Sequence, residues 1–101
     1  MSKKIILILL LGGSNYTYAS QGQNVYKQTC AVCHSVQMPG APMLDSKADW
    51  KHRLIAGRQV LLRSVLYGYG AMPPKGGNAS LSDAEAEAAL DYMLSKIANL
   101  P

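Results

Sequence analysis

The feature that most constrains this chain is a cluster of two thiols and an imidazole within five residues, Cys30-Ala31-Val32-Cys33-His34. If this stretch is helical, the two thiols lie one turn apart on the same side of the helix. Each thiol can then add to one vinyl group of a haem, and the adjacent imidazole lies under the iron. The motif therefore predicts one covalently bound haem, attached through Cys30 and Cys33 and ligated by His34.

Three other uses of these side chains fit the residues less well. A disulfide between Cys30 and Cys33 closes too small a loop to add much stability, and it leaves His34 without a role. A thioredoxin-like dithiol needs a βαβ setting, which the pattern of the chain does not support. A zinc site needs about four ligands, and beyond these three residues only His52 and scattered carboxylates remain.

The second axial position of such a haem decides whether the iron passes electrons or binds a small molecule. The candidate ligands are Met38, Met43, Met72, Met93 and His52. Met38 and Met43 lie too near His34 in the chain to reach the opposite haem face easily. Met93 belongs to an apolar helical stripe, and His52 to a charged stretch. Met72 lies between predicted helices and precedes two prolines that stiffen its loop, so it is the preferred ligand.

A methionine ligand has a direct consequence for function. It saturates the iron, and its neutral thioether favours the ferrous state and raises the reduction potential. Such a site passes single electrons and excludes substrates. If Met72 does not ligate, the open iron would instead suit a haem enzyme or a gas sensor.

Glycine and proline divide most of the chain into four segments with helical patterning. The first helix is predicted from about Gly22 into Cys33. A short second helix is predicted from Ala48 to Ala56, with Trp50 and Leu54 on one face.

The two later segments have the clearest helical periodicity. In the third, from Arg58 to Tyr67, apolar residues recur at four-residue spacing: Leu61 with Val65, and Leu62 with Leu66. The last begins with a capping box of Ser82 and Glu85 and continues as one apolar stripe: Ala86, Ala89, Leu90, Met93, Leu94 and Ile97. No segment alternates with period two for long enough to predict a sheet, so we expect an all-α domain.

The N-terminal residues have the pattern of a secretory signal peptide. Lys3 and Lys4 precede an apolar run from Ile5 to Leu11, and small or polar residues follow. We expect cleavage between Ala19 and Ser20, so that residues 1–19 are removed and residues 20–101 form one exported domain. The run falls well short of the roughly 20 apolar residues that a retained membrane anchor needs.

The charge distribution gives little support to nucleic-acid binding. The full chain has a net charge of +4, and loss of Lys3 and Lys4 with the signal peptide would lower it to +2. Five of the eight remaining basic residues cluster in the middle of the chain, as a solvated helix face or a docking patch: Lys47, Lys51, Arg53, Arg58 and Arg63.

Together these motifs resemble those of class I c-type cytochromes, and within that family the chain is similar to the cytochrome c5 group. Beyond the haem motif, the likeness depends on five stretches: Gly22 with Tyr26, Gly40–Pro42, Asp45–Trp50, Gly70–Gly77 and Leu81–Glu85. It implies about four helices around one haem, thioether links at Cys30 and Cys33, and axial ligation by His34 and Met72. It also implies a periplasmic electron carrier that serves redox partner proteins and is not an enzyme. The alternative is an electron-relay subunit of a larger oxidoreductase complex.

The resemblance suggests roles for further residues. Gly22, Tyr26 and Tyr92 match a crossing of the first and last helices, where glycine admits a close aromatic side chain. Trp50 is either a donor to a haem propionate, with Arg58 as its cationic neighbour, or a simple core residue.

One departure from the cytochrome c5 group affects the Met72 loop. That group commonly has a second cysteine pair just after the loop, and the matching positions here are Asn78 and Leu81. We therefore expect the loop to be held only by the haem bond, the prolines and packing of Leu81. It would then be looser than in relatives that have the disulfide.

Overall fold

The computed structural model describes residues 18–36 and 38–101. The predicted signal peptide covers residues 1–19, of which residues 1–17 lie outside the described residues, and the predicted cleavage point after Ala19 lies within the first helix. In chain order the elements are α1 Tyr18–Val25, a π-helical turn Tyr26–Cys30, α2 Ala31–His34, α3 Lys47–Ala56, α4 Arg58–Tyr67, a 3₁₀ turn Pro74–Gly77, and α5 Asp83–Ala98.

The predicted all-α class is confirmed. The first three elements form one continuous helical stretch, so the described residues make four helices. Among them the only strand-like pairing is an isolated bridge between Tyr69 and Met72. Helix α4 has the predicted bounds, and the first helix begins four residues before the predicted Gly22. Within residues 18–36 and 38–101, no helix combines the length and apolarity of a membrane span.

Side-chain caps fix the starts of α3 and α5. Ser46 accepts a hydrogen bond from the Asp49 main-chain N–H at 3.2 Å, which begins α3 one residue before the predicted Ala48. At α5, the Ser82 hydroxyl accepts from the Glu85 N–H at 3.0 Å, and Glu85 Oε1 accepts from the Ser82 N–H at 2.8 Å. The predicted capping box is therefore present, and it satisfies main-chain donors that a helix start leaves free.

The predicted crossing of the first and last helices is also present. A Cβ built on Gly22 would lie 2.8 Å from the Ala88 carbonyl carbon and 3.2 Å from Tyr92 Cβ. Such distances leave no room for a side chain at Gly22. One turn later, the rings of Tyr26 and Tyr92 pack with their centroids 5.4 Å apart. Glycine and the two aromatic residues therefore set how closely α1 approaches α5.

The core lies between this crossing and α3. Its buried residues include Tyr26, Trp50, Met93 and Ile97. The predicted stripe of α5 is buried except for Leu94, which is partly buried. Trp50 and Leu54 lie one turn apart on one face of α3, as predicted, but Trp50 is buried and Leu54 is 40% exposed. Leu54 instead lines a cavity of about 270 Å³ between α3, α4 and α5, which leaves its side chain only loosely covered.

Candidate cofactor site

Cys30 and Cys33 lie on the continuous first helix. Cys30 ends the π-helical turn, Cys33 lies within α2, and both thiols are unbridged and partly buried. Burial raises the pKa of the Cys30 thiol to about 11, and the neighbouring Cys33 adds to the shift. A reactive redox dithiol needs a lowered thiol pKa, so this environment argues against the thioredoxin-like alternative.

His34 is held in one orientation by its ring nitrogen. The residue is only 8% exposed, and its Nδ1–H donates to the Pro42 carbonyl oxygen at 2.8 Å. The Trp50 ring stacks beside the imidazole, with centroids 5.8 Å apart and planes 30° apart. Because Nδ1 is engaged as a donor, Nε2 is the nitrogen left with a lone pair for a metal.

The segment that carries Pro42 is itself anchored to α3. Trp50 Nε1–H donates to the Met43 carbonyl oxygen at 2.9 Å, and the Met43 N–H donates to Asp49 Oδ2 at 3.1 Å. Met43 is thus fixed through both of its main-chain groups, directly after the proline that binds His34. The role left open for Trp50 is therefore structural in this conformation: it is buried in the core, and its N–H positions the His34 acceptor.

Met72 lies in a tight turn between α4 and the 3₁₀ turn. Tyr69 and Met72 exchange two main-chain hydrogen bonds, each 2.9 Å long. A Cβ on Gly68, which has φ of 89°, would lie 2.9 Å from the Met72 carbonyl oxygen, so this close turn requires glycine. The Met72 side chain is partly buried.

The 3₁₀ turn brings the Met72 loop to the helix that bears the cysteines. A Cβ on Gly76 would lie 2.8 Å from Thr29 Cγ2, and Asn78 Nδ2 lies 3.5 Å from Thr29 Oγ1. Since Thr29 immediately precedes Cys30, the loop and the cysteine motif are neighbours in space.

Lys75 provides a contact that the sequence did not predict. Its Nζ donates to the Leu81 carbonyl oxygen at 2.8 Å and lies 2.8 Å from Asp83 Oδ1. The expectation that only the haem bond, the prolines and Leu81 packing hold the Met72 loop is therefore wrong. No spacing or motif signals the contact, because it requires Lys75 to adopt a left-handed backbone, with φ of 54°.

The other candidate iron ligands lie in less suitable places. Met93 is buried in the core beside Tyr26 and Ile97, and Met43 has its main chain bound to α3 on the His34 side. Met38 is 43% exposed, and His52 is exposed on α3.

Arg58 is committed to α5 and is not free to pair with a propionate. Its Nε and Nη2 bind Asp91 Oδ1 and Oδ2 at 2.8 and 2.9 Å, and Nη2 also lies 2.6 Å from Glu87 Oε2. The hydrogen bonds to Asp91, followed by the one to Glu87, raise the pKa of the Arg58 guanidinium. This two-acid pairing joins the start of α4 to the middle of α5.

The residues present fit a covalently held haem. They supply two thiols on one helix, an imidazole with an available Nε2, and a thioether on the loop that adjoins the cysteines. Helix α4 adds apolar side chains that the protein only partly buries, and a porphyrin can cover such a face: Leu61, Leu62, Val65 and Leu66. In the part of the chain that the structure describes, no three His, Cys, Asp or Glu side chains converge to hold a metal ion.

Comparisons with known proteins match this chain to cytochromes. Residues 18–93 match the family model described as cytochrome C oxidase, cbb3-type, subunit III. The chain is 41% identical over 91 residues to cytochrome c-555 of Chlorobaculum tepidum, which covers 85% of this chain and 84% of the relative. It is 40% identical over 77 residues to cytochrome c5 of Azotobacter vinelandii, which covers 74% of this chain and 93% of the relative.

A solved structure shares the fold. It is a cytochrome c in a crystal structure of the electron transfer complex of nitrite reductase with cytochrome c. The two chains are 40% identical and superpose with a TM-score of 0.70, covering 76% of this chain and 94% of the other.

Proposed function

This chain belongs to the c-type cytochromes, and from that premise we propose that Cys30 and Cys33 attach its haem while His34 and Met72 ligate the iron. The protein is a monohaem electron-transfer cytochrome. The bound haem supplies an iron that gains and loses one electron. The chain itself attaches, orients and covers that group.

The observation that carries the proposed ligand set is the hydrogen bond from His34 to Pro42. It holds the imidazole with Nε2 as its available nitrogen. The Trp50 N–H holds the acceptor segment in turn, through the carbonyl oxygen of the adjacent Met43. A ligand held in this way does not have to reorient when the iron changes oxidation state, which keeps the reorganisation that accompanies electron transfer small.

Met72 is the proposed second ligand because its loop is preorganised. The paired hydrogen bonds with Tyr69 and the two following prolines limit how far the sulfur can move. A saturated iron offers no site for substrate, so we propose a carrier and not an enzyme.

The spectrum of the purified holoprotein tests this assignment. We expect a c-type pyridine haemochrome, a weak red Met-to-ferric-iron band and no binding of carbon monoxide. Met72→Ala should abolish the red band and admit carbon monoxide, while the control Met38→Leu should behave like the wild type. A red band that survives in Met72→Ala would exclude Met72 as the ligand, and protein without haem would exclude the whole assignment.

We also propose that the cytochrome is exported to the periplasm after cleavage between Ala19 and Ser20. The signal-peptide pattern of residues 1–19 supports this, and the family match begins nearby at residue 18. The mass of the exported holoprotein tests it: a chain of residues 20–101 with one haem is expected. A mass that still includes residues 1–19 would contradict it.

The proposed partners are redox proteins on both sides of the electron path. A related cytochrome c forms an electron transfer complex with nitrite reductase, so a reductase of that kind is one acceptor to test. The match to an oxidase subunit supports a second candidate, an electron-relay subunit. Purification at native abundance separates the two, because a free carrier elutes alone and a subunit elutes with its complex.

A further inference from the structure

Lys75 lies three residues after Met72, and its side chain connects the loop to another part of the molecule. Its ammonium group lies 2.8 Å from both the Leu81 carbonyl oxygen and Asp83 Oδ1. Leu81 and Asp83 flank Ser82, the N-cap of α5. The side chain therefore ties the Met72 loop to the start of the last helix.

The backbone at Lys75 is unfavourable for any residue with a Cβ. Its φ of 54° and ψ of 33° are left-handed values that glycine adopts freely and lysine rarely does. The conformation turns the chain so that the ammonium reaches Leu81 and Asp83. Two charge-assisted contacts on a side chain only 21% exposed offset the backbone cost.

The opposite edge of the same loop rests on the cysteine helix. Gly76 approaches Thr29 so closely that a Cβ there would lie 2.8 Å from Thr29 Cγ2, and Asn78 contacts the Thr29 hydroxyl. The loop is therefore held on two sides, by Thr29 beside Cys30 and through Lys75 at α5. Met72 precedes both contacts, and only two prolines separate it from Lys75.

We propose that Lys75 is a positioning residue for Met72, acting as a non-covalent staple between its loop and the N-terminus of α5. The inference rests on the proposed ligation of iron by Met72. By restricting the loop, the staple keeps the sulfur near the iron and weakens competition from external ligands.

Imidazole competition tests this role in the ferric holoprotein. Imidazole binds where the Met sulfur leaves, so its affinity reports how firmly the loop holds Met72. Lys75→Met keeps the length of the side chain and removes the ammonium, and we expect it to bind imidazole about tenfold more tightly, equivalent to about 1.4 kcal/mol. The red Met-iron band of this variant should also disappear at a temperature well below loss of helical circular dichroism.

Two further variants separate positioning from general stability. Lys75→Arg retains a cation that can donate to Leu81 and Asp83, so it should restore most of the wild-type imidazole affinity. Lys47 is the matched control, because its Nζ also donates to a carbonyl oxygen, that of Leu100 at 3.2 Å. Lys47→Met should leave imidazole affinity within about twofold of wild type, as expected for an exposed substitution away from the loop.

The outcomes distinguish this inference from the proposed function. A wild-type protein without the red band would refute Met72 ligation itself. A wild-type protein with the band, combined with equal imidazole affinity in wild type and Lys75→Met, would overturn the staple while leaving the ligation intact. If Lys75→Met does not fold, Asp83→Asn replaces it, and a change of less than about twofold there would count against the staple.

Discussion

The main chain of Gly22 lies directly against that of Ala88 where α1 crosses α5. A Cβ on Gly22 would lie 2.8 Å from the Ala88 carbonyl carbon, so Gly22→Ala must push the helices apart. We expect a loss of about 2–3 kcal/mol in the free energy of unfolding, typical of overpacking at a close contact. Denaturant unfolding of the holoprotein measures it, with the exposed Gln21→Ala as the control on the same helix. Equal stability of both variants would show that the crossing tolerates a side chain.

Trp50 contributes through its indole N–H as well as through its ring. Trp50→Phe retains an aromatic core residue and removes one of the two donors to the Met43 carbonyl oxygen, which also accepts from the Ser46 N–H at 3.0 Å. We expect a cost of about 1 kcal/mol in the free energy of unfolding, the typical loss of one hydrogen bond whose acceptor keeps another donor. Met43→Leu is the control, because it changes the side chain and keeps the acceptor. If the two variants were equally stable, the hydrogen bond would not contribute to anchoring the Pro42 segment.

Arg58 links α4 to α5 through Asp91 and Glu87. Its side chain is 37% exposed, so we expect a coupling energy of only about 0.5–1 kcal/mol between Arg58 and Asp91. A double-mutant cycle with Arg58→Met and Asp91→Asn measures this coupling. The coupling should shrink as ionic strength rises, because salt screens partly exposed charges. Coupling that does not change with salt would point to a packing effect of the arginine side chain.

The capping box at α5 predicts a specific pH dependence. Hydrogen bonds from the Ser82 N–H, and then its hydroxyl contact, lower the pKa of Glu85 in the folded state. Its contribution is therefore fully present above the unfolded value of about 4.3 and is lost as pH falls through the lower folded pKa. Glu85→Gln should be less stable than wild type at neutral pH, and the difference should vanish on acidification. Thermal unfolding of both proteins across this range measures it, and a constant difference would contradict the assignment.

Local signals in the sequence predicted most of the fold. The Ser82 and Glu85 pair marks a helix start through contacts only three residues apart, and the spacing of Leu61, Leu62, Val65 and Leu66 marks α4. The crossing at Gly22 was predicted through family resemblance, since nothing local identifies the residue that glycine must approach.

The contacts that sequence reasoning missed join distant parts of the chain. The N–H of Trp50 binds a carbonyl whose position depends on the whole segment after His34. Arg58, at the start of α4, pairs with Glu87 and Asp91 on α5. Lys75 reaches Leu81 and Asp83 only through a left-handed backbone, which residue preferences disfavour. Leu54 has the spacing of a core residue, yet it is 40% exposed and borders the cavity between α3, α4 and α5.

The π-helical turn at Tyr26–Cys30 has a consequence for how this molecule can vary. The Ala31 N–H donates to the Tyr26 carbonyl oxygen, five residues earlier, where an α-helix would use the residue four earlier. The turn therefore contains one extra residue between the side chains that pack on α5 and Cys33. Removing that residue would rotate Cys33 and His34 by about 100° relative to Gly22, because each α-helical residue turns the helix by that angle. The turn thus changes the rotational register of the continuous first helix. It lets the face that packs on α5 and the face that bears the cysteines point in directions that a uniform α-helix would not allow.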